Sequence, residues 1–95
     1  MDDKDDFQER LNAQLDAWRA EIAQLEAKAK EAHGEAQQKY LDQIEDLREY
    51  QREAEIKLNE IRATNEAAWQ DIKSGYEAAW NEIANSMKKA LSRFD

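Results

Sequence analysis

The sequence predicts an all-α protein, an elongated coiled coil of long amphipathic helices in antiparallel contact. Three observations carry that reading. The 95 residues include no Pro, no Cys, no Val and only two Gly, Gly34 and Gly75. Strands favour Val and helix interiors exclude Pro. Ala, Glu, Gln, Lys, Leu and Arg dominate, all strong helix formers. Apolar residues recur at intervals of three and four along almost the whole chain, the spacing of a buried helical stripe. With 38 % charged residues, this mix belongs to coiled coils and long helices. One domain is expected over residues 1–95, with an acidic tip at 1–6 that frays.

In the first half the apolar positions are Leu11, Leu15, Trp18, Ile22, Leu25, Ala29, Ala32 and Ala36. They alternate spacings of four and three, which is a heptad seam. After Ala36 the phase blurs through Tyr40, Leu41 and Ile44.

From Leu47 the seam reads Leu47, Tyr50, Ala54, Leu58, Ile61, Asn65, Trp69, Ile72, Tyr76, Trp80, Ile83, Met87, Leu91 and Phe94. The spacing becomes three, four, four, a hendecad whose stripe runs nearly straight. The tetrad Glu-Ala-Ala-Trp recurs at 66–69 and 77–80, eleven residues apart. A hendecad puts both tryptophans on one line of the helix. The residues expected to carry self-association are Leu11, Leu15, Trp18, Ile22, Leu25, Leu47, Leu58, Ile61, Trp69, Ile72, Tyr76, Trp80, Ile83 and Met87.

Two places invite a break. Gly34, after His33, suits the position just past a helix end. Asn65, before Glu-Ala-Ala-Trp, suits an N-cap. The seam nevertheless passes through both in phase, which favours continuity. Unbroken, the helix would be roughly 130 Å long at 1.5 Å per residue, and its seam would need a second chain. A helical hairpin would use one break, and a three-helix bundle would use both.

Net charge is −8, with 13 acidic and 6 basic residues in 1–47 and a near balance after that. An antiparallel pair would set the acidic tip beside Lys88, Lys89 and Arg93, where a parallel pair would set it against itself. The same arrangement places the Ala-rich section against the Trp-rich one. An acidic chain without clustered Lys and Arg is a poor nucleic-acid binder. Neither a signal peptide nor an apolar run of about 20 residues is present. The absence of Cys fits a cytoplasmic location.

No constellation for catalysis emerges, so no enzyme activity, cofactor, metal or small-molecule substrate is expected. His33 is the single histidine, and its helical neighbours Lys30, Ala29, Ala36 and Gln37 supply no second ligand. The carboxylates read as a solvated face with pairs such as Glu53 and Lys57 at i, i+4. The Trp69–Ile72–Tyr76–Trp80 stripe reads first as a seam between copies in a homo-oligomer. Trp and Tyr also suit a water–hydrocarbon boundary, so weak binding to a membrane surface is an alternative. Capture of unfolded proteins by the same stripe is another.

The segments AQLDAWRAEIAQLEAKAKEA (13–32), QIEDLREYQ (43–51) and AAWQDIKSGYEAAWNEI (67–83) resemble small bacterial coiled-coil proteins of the cyanobacterial-type stress-response family. The resemblance is most specific at Trp69, Ile72, Gly75 and Trp80, and extends to Trp18. It implies a stress-related, cytosolic, self-assembling structural protein with no known catalysis, and brings no catalytic residues. The chain departs from it at His33 and Gly34, where helix formers would be expected.

Overall fold

Two short interruptions set the architecture. The computed structural model describes residues 3–94, which form α1 (Asp3–Glu31), α2 (Glu35–Ala63) and α3 (Glu66–Leu91). Both candidate breaks are used, and of the shapes open to the sequence the chain takes the three-helix one. The helices run up, down and up in a rod 53 × 19 × 19 Å. The 130 Å of a continuous helix is therefore folded on itself. The phase that passes through Gly34 and Asn65 does not keep the helix whole there.

The two connections differ in kind. Gly34 has φ 65° and ψ −136°, a region that side-chain-bearing residues avoid. Asn65 keeps an ordinary extended backbone and acts as the N-cap of α3, its side chain accepting from the Ala68 amide at 2.8 Å. The cap satisfies one of the donors that a helix start leaves open. Asn65 is thus a cap at the surface rather than a seam position. Ala36, just past the first turn, is likewise exposed, because the chain has already reversed.

α1 is helical from Asp3 onward; residues 1 and 2 of the tip expected to fray lie outside the described residues. The Lys4 ammonium donates to the Thr64 and Arg62 carbonyls at the end of α2, where the helix dipole favours a cation. The acidic tip also finds Lys73 in the third helix, with Asp3 Oδ2 at 2.6 Å. It does not meet Lys88, Lys89 and Arg93, which lie toward the opposite end because α3 runs parallel to α1.

α1 and α2 are antiparallel and held in register by a polar ladder. Asn12 accepts from Arg62 at 3.0 Å, Glu55 from Arg19 at 3.1 Å, and Glu26 pairs with Arg48 at 2.5 Å. Each rung is seven residues from the last on both helices, as flanking charges of a heptad seam are. These exposed rungs contribute roughly 0–1 kcal/mol each, so they select register more than they stabilise.

The core is continuous and apolar. It runs from Phe7, Leu11, Leu15 and Trp18 through Leu47, Leu58 and Ile61 to Trp69, Trp80, Ile83 and Met87. Among the described residues no polar side chain is buried. In α3 Trp69, Trp80, Ile83, Met87 and Ala90 are buried, and Ile72, Tyr76 and Leu91, with Phe94 just beyond the helix, pack against the core half-buried. Both tryptophans face inward as anticipated. The position a heptad would fill after Trp69 holds Lys73, whose side chain is 33 % exposed and ends on Asp3.

Candidate functional site

The residues read from the sequence as a contact seam do come together, within one chain. Leu11, Leu15, Trp18, Ile22, Leu25, Leu47, Leu58, Ile61, Trp69, Trp80, Ile83 and Met87 are all buried, and Ile72 and Tyr76 pack against them half-buried. The tryptophan stripe is consumed by the fold.

Its partner is α1. The backbones of α1 and α3 seldom approach within 8 Å, and aromatic rings span the gap. Phe7 tilts against Trp69 with ring centroids 5.0 Å apart, and Trp18 stacks on Trp80 at 5.4 Å. The Trp69 indole N–H donates to Asp3 at 3.3 Å, and that of Trp80 donates to Gln14 at 2.7 Å. Phe7 and Trp18 are eleven residues apart, as are Asp3 and Gln14. The repeat in α3 is therefore matched by a repeat of rings and acceptors in α1. Parallel helices advance together, so a common interval of eleven gives each rung the same geometry. This packing and its satisfied indoles account for the tetrad repeat without an external ligand.

Titration at the end of the ladder has a definite sign. The Lys73 ammonium, then the Trp69 indole, hold the Asp3 carboxyl below its ordinary range, and Asp3 in turn raises Lys73. Asp3 therefore contributes stability fully above its unfolded value of 3.8, and the contribution is lost as pH falls through the lower folded value. Asp3→Asn is expected to lower the melting temperature at neutral pH, with the difference from the parent shrinking as pH falls below 3.8 and in high salt. Thermal melts across pH check this.

What the bundle leaves outside is more informative. Of the large apolar side chains, Leu41 is 46 % and Ile56 56 % exposed. Leu41 sits at an α1–α2 groove whose charges are balanced, with Glu26 paired to Arg48 and with Lys30 near Glu45. Ile56 sits at the α2–α3 side. There two adjoining grooves share Lys57 and Ala79 and are floored by Ile56, Ile72, Gly75 and Ile83. Glu53, Glu60, Asp71 and Glu82 form the rim. Lys57 is engaged by Glu60 at 3.5 Å, and Glu60 also accepts from the Tyr76 hydroxyl at 3.1 Å. Burial, then that carboxylate, push the Tyr76 hydroxyl above its usual value.

No protein-family model, curated protein or solved structure matches the chain.

The sequence reading missed Ile56. Its signal was an apolar residue two before Leu58, out of phase with the seam and so directed to solvent. Phe7 was also missed; it stands four before Leu11, whereas the heptad alternation points to Gln8. His33 is exposed at the first turn. No group of three or more His, Cys, Asp or Glu able to hold a metal occurs among the described residues. Nor is any helix among them long and apolar enough to cross a membrane.

Proposed function

We propose that this chain is a non-enzymatic structural protein that works by association, a scaffolding bundle whose contact surface is the outer α2–α3 groove. The observation that carries the reading is Ile56, 56 % exposed beside Ala79 and Ile83, in a groove that adjoins the one lined by Ile72 and Gly75, after the chain has buried its own tryptophans. A cytoplasmic, stress-linked role, implied by the resemblance of the sequence, is compatible with such a protein.

The test is a titration of the isotope-labelled protein with amphipathic model helices whose polar faces are basic, neutral or acidic. Shifts centred on the Ile56 and Ile72 methyls with any one of them support the groove as an association surface. No shift with all three, at millimolar peptide, refutes it.

A further inference from the structure

Resting on that reading, we infer that the occupant of the α2–α3 groove is a basic amphipathic helix of another protein, docked over Gly75 with its cationic flanks on Glu53, Asp71 and Glu82.

Two independent observations point there. The first is charge. Lys57, which lines both grooves, is committed to Glu60 at 3.5 Å, and Lys73 on α3 is committed to Asp3 at 2.6 Å, so neither neutralises the rim. Glu53, Asp71 and Glu82 line or flank the apolar floor from both helices, exposed to solvent. The groove therefore presents an apolar strip between uncompensated carboxylates, on a chain of net charge −8. Lys and Arg flanking an apolar stripe complete it, and complementary charge of this kind sets partner choice and encounter rate.

The second is Gly75. It lies inside α3 on ordinary helical backbone, and a Cβ added there would meet nothing within 4 Å. Neither a turn nor internal packing requires glycine, which weakens a helix interior. One turn later comes Ala79, also on the floor. The pair lowers the surface along α3 between Ile72 and Ile83, and small residues let a second helix come close to the backbone. The floor extends from Ile72 to Ile83, three turns of α3 or roughly 16 Å, the reach of anchors at i, i+4, i+7 and i+11 on a docking helix.

Gly75→Ala and Gly75→Leu separate the fold from the site. Gly75→Ala is expected to raise the melting temperature of the free protein, by about 4–8 °C if the full helical cost of glycine is recovered. Gly75→Leu is expected to keep the fold and fill the groove. Binding is read by calorimetry with synthetic 18-residue helices sharing one Leu face and carrying Lys, Gln or Glu on the other. The Lys peptide is expected to bind about tenfold more tightly than the Gln peptide, a difference of ~1.4 kcal/mol, and the Glu peptide more weakly still. The gap should close with salt and in the variant Glu53→Gln/Asp71→Asn/Glu82→Gln. Gly75→Leu should weaken the Lys peptide at least as much. Equal or tighter binding of the Gln peptide would overturn the basic partner while leaving the groove as an association surface. Undiminished binding of the Lys peptide to Gly75→Leu would overturn the site. Binding of phosphatidylcholine vesicles with no peptide bound would replace the helix by a lipid surface.

Discussion

Trp69→Ala is expected to cost about 3–5 kcal/mol of folding free energy, the range for deleting a buried indole. Trp69 is 1 % exposed, packs on Phe7, and places its N–H on Asp3. Truncation opens a void between α1 and α3, where Phe7 packs on the indole. Helices spaced by aromatic rings have no short side chains in reserve to close it. Against a typical total of about 5–15 kcal/mol, a large share of stability goes. Urea unfolding followed at Trp18 and Trp80 measures the effect. Trp69→Phe, which keeps a ring against Phe7 and loses the indole donor, should retain a substantial part. The unfolding midpoint should also be independent of protein concentration, because the tryptophan contacts lie within one chain; a midpoint rising with concentration would return them to an interface between copies. A loss below ~1 kcal/mol would contradict the packing described.

Leu47→Ala is the second large effect, about 2–5 kcal/mol. Leu47 is fully buried near the middle of α2, the helix that packs closely against both others. A cavity there weakens the common core and not one flank. Leu41→Ala, six residues away and 46 % exposed, provides the contrast and should stay within about 0.5 kcal/mol. Similar losses at both positions would mean that the two faces of α2 are not distinguished as described.

Helix content, inward faces and turn positions were legible because each depends on local chemistry. Gly34 and Asn65 carry their turn and cap preferences in their own side chains. The choice between one long helix and three was not legible, since the phase runs through both breaks and a continuous seam suits either shape. The interval of eleven fits a hendecad or the sum of seven and four, and the chain draws on both: Ile72 packs on the core where a heptad would place Lys73, and Ala90 is buried beside the half-buried Leu91. The matching interval from Phe7 to Trp18 gains meaning once α1 and α3 are known to be parallel. The rungs Asn12–Arg62, Arg19–Glu55 and Glu26–Arg48 are heptad-spaced on both strands and could have been found by testing an antiparallel register. The candidate site was least legible of all, because a groove between α2 and α3 exists only after the third helix is in place.

An odd number of helices has a mechanical consequence. Asp3 lies beside Lys73 near the start of α3, and Phe94 rests on Tyr40 near the start of α2, ring centroids 5.5 Å apart. These two residues therefore stand at opposite ends of a rod 53 Å long. Tension between them pulls α1 one way and α3 the other along their shared axis. Both aromatic rungs are then loaded together, in shear, instead of being peeled one after the other as in a hairpin held by adjacent ends. A lengthwise pull would therefore load the aromatic rungs and the contacts that α2 makes with both neighbours along the same axis.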